Sequence, residues 1–374
     1  MRLHRCCLFL VSTLCLSGLA AVAQAPAPAT LKDTFRNAFY VGVAINADQI
    51  TGGDARGDAI ITEQFNSITP ENVMKWEVIH PRPDAYDFNL ADKYVEFGLK
   101  NHMFIVGHNL CWHSQTPGWV FKDKKGNPLS RKALLRRLHN HIQTVVGRYK
   151  GKVNSWDVVN EALNEDGTLR QSPWMKIIGE DYVIKAFQYA HRADPRAQLN
   201  YNDYNLETPA KRQGAIALVK KLKAAGVPIT VVGDQGHLHL DGPSALDEEA
   251  TIMDLAAAGV KVAITELDID VLPSARGNTA DVSLKIQEDP KLNPYANGLP
   301  DAVQQALTKR YADLFAVYWK HRDVINRVTF WGVTDGDSWL NDWPVKGRTS
   351  YPLLFDRDGK PKPEFEAVLK TATD

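Results

Sequence analysis

Eight short apolar runs alternate along this chain with longer amphipathic segments, and no other feature narrows the choice of fold as far. The runs are Tyr40 to Asn46, Asn66 to Thr69, Met103 to Gly107, Val153 to Asn160, Gln198 to Asn202, Ile229 to Gly233, Val260 to Leu267 and Arg327 to Val333. Helix-like stretches lie between them, among them Leu134 to Tyr149, Tyr182 to Arg192, Ala210 to Ala225, Ala245 to Ala258 and Asp301 to His321. Gly226 and Gly259 suit helix ends, because glycine takes up the left-handed turn that stops a helix without steric cost. Strand–helix repetition predicts parallel strands joined by crossover helices. A doubly wound open sheet shares the pattern. Eight repeats, rather than five or six, favour an α/β fold closed into a single (β/α)8 barrel.

Polar residues gather where the apolar runs end. They are Asn72 and Lys75, His108, Asn160 and Glu161, Asp203 and Tyr204, Gln235 and His237, Glu266 and Asp268, and Trp331 with Asp335. In a barrel the C-terminal ends of all strands open on one face, so residues far apart in sequence converge there. A strand that meets water turns polar anyway. That accounts for one or two of these residues but not for the whole set.

Composition bounds the partners. The chain has 374 residues, 44% hydrophobic and 24% charged, with a formal net charge of zero. This is ordinary globular material with ample apolar content for a large core. Charge balance argues against a polyanionic partner such as nucleic acid and suits a neutral polymer.

The N-terminus reads as a leader. Arg2, His4 and Arg5 precede a mostly apolar run from Leu8 to Leu19, and Ala21-Val22-Ala23 and Ala23-Gln24-Ala25 both fit a small-x-small cleavage site. Residues 1–25 are therefore expected to be a signal peptide, too short to span a bilayer, and the mature protein to be secreted or periplasmic with no membrane contact after cleavage. Residues 26–34 read as a short tether, with Pro26-Ala27-Pro28-Ala29 extended, and 35–374 as one catalytic barrel. Three of the four cysteines lie in the leader, so the mature chain keeps only Cys111 and forms no internal disulfide. Between Leu110 and Trp112, Cys111 reads as a small buried filler rather than a nucleophile.

Two glutamates stand out among the strand-end residues. Glu161 follows Val158-Val159-Asn160, and Glu266 follows Ile264-Thr265 three strands later. One such glutamate is more often a cap or an ion-pair partner than a catalyst. Two on one rim fit acetal hydrolysis, which by the common route needs a carboxylic acid and a carboxylate flanking the scissile bond. Ionised Glu266 close by is expected to raise the pKa of Glu161, keeping it protonated as the acid.

These residues resemble glycoside hydrolase family 10, whose characterised members are chiefly xylanases. The resemblance runs from about Phe35 to Leu369 and rests on motifs that occur in the family's order. They include Thr69-Pro70-Glu71-Asn72-Val73-Met74-Lys75-Trp76-Glu77, Gly107-His108-Asn109-Leu110-Cys111-Trp112-His113, Trp156-Asp157-Val158-Val159-Asn160-Glu161-Ala162, Tyr201-Asn202-Asp203-Tyr204-Asn205, Gln235-Gly236-His237-Leu238, Ile264-Thr265-Glu266-Leu267-Asp268 and Trp331-Gly332-Val333-Thr334-Asp335. The resemblance implies an endo-β-1,4-xylanase that acts on xylan or xylo-oligosaccharides with retention and needs no metal or cofactor. It makes Glu161 the acid/base and Glu266 the nucleophile, with His237 and Asp268 orienting Glu266 and Asn160 bonding the 2-hydroxyl of the reacting sugar. Glu71, Asn72, Lys75, His108 and Gln115 would contact hydroxyls on the glycone side, Trp112, Trp331 and Trp339 would pack against pyranose rings, and Tyr204 and Gln235 complete the expected sugar contacts. Stacking has independent sense, since the C–H face of a sugar is apolar and its rim polar. Trp156, inside its strand, is assigned to the core and Trp339 to the cleft. The chain departs from the family pattern at Asn109, where Thr is more usual, and at Asp234, where an apolar residue is commoner.

Three rival readings fit parts of the pattern. His237-Leu238-His239 has the spacing of a metal-binding pair on one strand face, but a full ligand set at other strand ends is not evident. A sugar-binding barrel without activity would be expected to lose one carboxylate. A β-1,4-glucanase shares the chemistry and differs in the pocket walls near Trp331 and Trp339. The segment Leu272 to Leu299 could shape the cleft or be a surface excursion, and its Asn, Pro, Asp and Gly favour the excursion. A monomer is expected.

Overall fold

A computed structural model of the chain describes residues 29–274, 277 and 279–372. The leader expected over residues 1–25, and residues 26–28 of the tether, lie outside them. The tether ends sooner than expected. Leu31–Thr34 is a short helix capped by Thr30, and Leu31 is fully buried in the core.

Among the described residues nine strands run in chain order: β1 (Tyr40–Ile45), β2 (Ser67–Pro70), β3 (Phe104–His108), β4 (Ser155–Asn160), β5 (Gln198–Asp203), β6 (Val231–Asp234), β7 (His237–His239), β8 (Lys261–Asp270) and β9 (Ile325–Phe330). Eight of them close a parallel barrel. β1 to β6 pair in sequence, β6 pairs with β8, β8 with β9, and β9 returns to β1. The short β7 pairs only with the far end of β8, His237 opposite Asp268. That pairing extends β8 to Asp270, three residues past its expected end. β9 stops at Phe330, short of the expected Val333, although Trp331 N still donates to Leu267 O of β8 at 3.1 Å.

The expected alternation holds because these strands are covered on both faces. All six residues of β4 are buried, as befits a parallel strand between a filled barrel interior and a helix layer. The helices turn one apolar stripe inward. Tyr182–Ala193 buries Val183, Ala186, Phe187 and Ala190, the three-and-four spacing of a single helix face. Ser130 caps Arg131–Arg148, and Ser244 with Asp247 forms a capping box for Ala245–Ala257. Gly226 and Gly259 adopt left-handed φ of 68° and 79° just after two helices, as their positions suggest. Cys111 is buried and unbridged, and burial pushes its thiol well above the usual value.

Two ladder irregularities lie beside the glutamates. The β4–β5 register slips between Asp157 and Val159, and the β8–β9 register slips between Ile264 and Leu267. Slips of this kind re-aim the side chains beyond them. One comes just before Glu161 and the other brackets Glu266.

The barrel's interior contacts are tight at Gly107, one residue before His108. A Cβ there would sit 2.2 Å from Trp156 Cε3, and Trp156 is a core residue with 1% exposure that has no room to swing away. Gly107→Ala is therefore expected to cost about 1–3 kcal/mol by overpacking. Differential scanning calorimetry should record a melting temperature lower by a few degrees; an unchanged one would mean that the indole relocates freely.

Candidate active site

A pocket of about 130 Å³ opens at the C-terminal rim of the barrel. Its wall is made by Glu71, Asn72, Lys75, His108, Trp112, Gln115, Asn160, Glu161, Gln235, His237, Glu266, Trp331 and Trp339, with Ala280 and Val282. Nearly every residue that the sequence marks as a site candidate meets there, brought together from β2, β3, β4, β6, β7, β8 and β9 or the segments just beyond them.

The two glutamates are joined through neutral amides. Asn202 of β5 donates through Nδ2 to Asn160 Oδ1 and to Glu266 Oε1, both at 2.8 Å. Asn160 Nδ2 in turn donates to Glu161 Oε1 at 3.0 Å. Gln235 also donates to Glu161 Oε1, at 3.1 Å, and Trp112 Nε1 donates to Oε2 at 2.8 Å. Glu161 adopts a left-handed φ of 54°, an uncommon conformation for a non-glycine residue that these contacts hold in place.

The two carboxyls have different surroundings. Burial above all, then the charge of Asp203, lifts Glu161 to about 7, and the hydrogen bonds from Gln235 and Trp112 pull against that rise. Glu266 raises it as expected but contributes only a lesser part: water exclusion does more than the second glutamate. Glu266 faces a cation instead. His237 Nε2 lies 3.2 Å from Glu266 Oε2, and His237 Nδ1 lies 3.0 Å from Asp268 Oδ2, close enough to pair though not aligned as a hydrogen bond. Burial disfavours charge on that ring, but Asp268 and then Glu266 outweigh it and raise His237 to about 9. Both ring nitrogens thus face carboxylates, which leaves no metal-binding pair with His239. Asp268 stands behind the wall, where Trp339 Nε1 also donates to Oδ2 at 2.7 Å.

The opposite wall carries a second hydrogen-bonded set. Lys75 is buried and donates to Asn72 Oδ1 and Gln115 Oε1, both at 2.8 Å. Burial lowers its pKa against the pull of Glu71, Glu266 and Glu161. Its ammonium lies 5.2 Å from the Trp112 ring centroid. His108 Nδ1 contacts Asp157 Oδ2 at 3.0 Å, inside the barrel, where Arg327 and Asn200 also reach Asp157. Burial would raise Asp157, but the His108 contact and Arg327 bring it below its ordinary range. The ring is thereby fixed, with its other nitrogen 3.4 Å from Asn109 Nδ2. Trp331 packs edge-on to His108, and Trp339 stacks on Trp343 with centroids 4.3 Å apart.

Some strand-end residues do other work. Tyr204, expected to touch sugar, is not on the pocket wall: it is 2% exposed, its hydroxyl accepts from Arg170 at 2.8 Å, and Lys211 sits over its ring. Asp203 and Asp335 are buried in ion pairs with Lys211 and Lys362. Trp156 is core, as assigned. The segment after Leu272 is more than a surface excursion, since Ala280 and Val282 reach the pocket and Asp281 pairs with Arg170 at 3.4 Å. Asn202 and Asp157 are site residues that the sequence reading leaves out. Asp157 stands beside the apolar Trp156 and Val158 in β4, whereas Asn202 lies among Gln198, Asn200 and Asp203 in β5, where polarity alone does not single it out.

The profile of glycosyl hydrolase family 10 matches residues 30–371. Endo-1,4-beta-xylanase A of Xylanibacter ruminicola is 48% identical over 353 residues, 94% of this chain and 95% of its own length. A beta-1,4-xylanase of Dictyoglomus thermophilum is 42% identical, with 97% of each chain covered. Among solved structures, a novel GH10 endoxylanase retrieved from sugarcane soil metagenome superposes with a TM-score of 0.87 at 48% identity, covering 92% of this chain and 99% of its own.

The His237–Asp268 pairing makes a prediction that needs no substrate. NMR of the imidazole should place the His237 titration near 9, and Asp268→Asn should move it downward because the largest favourable charge is gone. A raised histidine pKa adds stability below the unfolded value of about 6.5, and that stability is lost as pH climbs through about 9. An unshifted midpoint in the Asp268→Asn protein would remove Asp268 as the cause.

Proposed function

The chain belongs to glycosyl hydrolase family 10, and from that premise we propose that it is an endo-β-1,4-xylanase, cutting internal xylosidic bonds of xylan by double displacement. One observation carries the reading: two buried glutamates share one pocket, tied through Asn160 and Asn202, and one of them is held protonated near neutral pH. The names of the similar proteins support the choice of xylan.

In the proposed reaction Glu266 attacks the anomeric carbon while Glu161 gives its proton to the departing glycosidic oxygen. The C–O bond breaks and a glycosyl ester forms on Glu266. Glu161, now ionised, takes a proton from water, whose oxygen attacks the same carbon and frees Glu266. Protonated His237 orients Glu266 before attack and stabilises the carboxylate again as it leaves. Asn160 Nδ2 has a second hydrogen available for the sugar 2-hydroxyl. Lys75, Asn72, Gln115, Glu71 and His108 form a polar rim suited to hydroxyls, and Trp112, Trp331 and Trp339 supply ring faces. The leader pattern supports export of the mature enzyme, and N-terminal sequencing of exported protein checks the cleavage point after residue 25. Among the described residues no helix is long and apolar enough to cross a membrane.

Proton NMR of early products on xylan and on a soluble β-glucan tests the function. The β-anomer of xylo-oligosaccharides should appear first and the glucan should turn over slowly; initial α-product would exclude double displacement. The pH profile tests Glu161. As an acid it must be protonated, so kcat/KM on xylan should fall as pH rises through about 7. Glu161→Ala should abolish that limb and cost about 100-fold or more on xylan, with far less loss on activated aryl xylosides. Equal losses on both substrates would remove the acid role.

A further inference from the structure

Between the barrel wall and its helix layer, three carboxyl groups meet away from water. Asp234 ends β6, Glu207 lies between β5 and helix Pro209–Ala224, and Glu248 is in helix Ala245–Ala257. Gly233 faces the barrel interior, where a Cβ would strike Asn202, so strand alternation turns Asp234 outward toward that helix. The three residues are 4% (Glu207), 0% (Asp234) and 1% (Glu248) exposed, and one oxygen from each lies within 4.8 Å of the others. Both Asp234 oxygens, Glu207 Oε2 and Glu248 Oε2 are buried without any hydrogen-bond partner.

Buried carboxylate oxygens without donors are costly, and three groups side by side add mutual repulsion. The nearby cations make their direct contacts elsewhere, although the buried Nε of Arg310 has no partner. Lys211 is held at 3.1 Å by both Asp203 and Glu165, Arg310 donates to the Pro243 carbonyl, and His237 faces Glu266 and Asp268. Tyr318 donates to Glu248 Oε1 but leaves Oε2 bare.

We propose that Glu207, Asp234 and Glu248 hold one divalent cation, and that calcium fits them best. The donors are hard oxygens alone, which selects against zinc and copper. An ion equidistant from three oxygens at the 4.8 Å limit lies about 2.8 Å from each, so the site needs a small contraction to the roughly 2.3–2.6 Å of calcium and a larger one to the roughly 2.1 Å of magnesium. Glu207 also lines an adjoining open cavity of about 470 Å³, a route for the ion and for the waters that complete its shell. The ion would tie three segments together one residue before Gln235, which donates to Glu161. Protons are the competing occupants, since burial raises all three carboxyls. The site does not depend on the hydrolytic reading.

The test uses the whole mature chain, stripped with EDTA, in calorimetric titrations with CaCl2 and MgCl2 and in thermal melts. One calcium per chain is expected, with a melting temperature about 4 °C higher at a hundredfold excess over Kd and a weaker response to magnesium. Asp234→Asn and Glu248→Gln should each abolish the calcium heat and the shift. No heat and identical melting in EDTA and millimolar calcium would overturn the proposal, leaving protons as the occupants. Binding that survives in either folded variant would also overturn it. If Asp234→Asn fails to fold, the wild-type titration and Glu248→Gln still decide.

Discussion

The side-chain amide of Asn202 holds the rim of this barrel together. Its nitrogen donates to Asn160 and to Glu266, and its oxygen accepts from Thr265 Oγ1 at 2.6 Å. A neutral amide can join two carboxyl-bearing strands without dictating the charge on either, which a lysine or an arginine in that place would do. Room for it comes from Gly233 on the neighbouring strand, where a Cβ would lie 2.4 Å from Asn202 Oδ1. Asn202 therefore depends on a glycine in β6, and the spacing of Glu161 and Glu266 depends on Asn202.

Around that frame, burial and charge push the two glutamates apart in character. Glu161 is kept neutral mainly because water is excluded, with Asp203 adding to the effect. Glu266 sits against His237, whose own charge is maintained by Asp268. Asp268 is in turn fixed by the Trp339 indole. A residue of the pocket wall is thus also the far end of the chain that orients Glu266. Stacking and electrostatics are mechanically linked here, so a change at Trp339 acts on both.

The same physics acts with another outcome on the outer side of β6. Glu207, Asp234 and Glu248 are as buried as Glu161 but have unpartnered oxygens where Glu161 has donors. Burial alone raises a carboxyl. What separates a functional acid from an ion-binding cluster is how many donors the fold supplies and how many carboxyls share the space.

Several features were legible in the chain alone because they depend on local rules. Alternating apolar runs announced the barrel, since covered parallel strands must be apolar on both faces. Glycines at 226 and 259 marked helix ends by their backbone freedom. The strand-end position of Glu161, Glu266, His237 and Lys75 put them on one rim because every strand in such a barrel points the same way. Other features depended on contacts between distant segments. Tyr204 and Asp203 end β5 as the pocket residues end their strands, yet Lys211 and Arg170 draw them off the wall. Ala280 and Val282 reach the pocket from a segment whose composition suggests a surface loop. The cause of Glu161's raised pKa could not be ranked from spacing, because burial exists only after the chain closes around it. Nor could the outer carboxyl cluster be seen, since its members come from a loop, a strand end and a helix that only the packed barrel brings within reach.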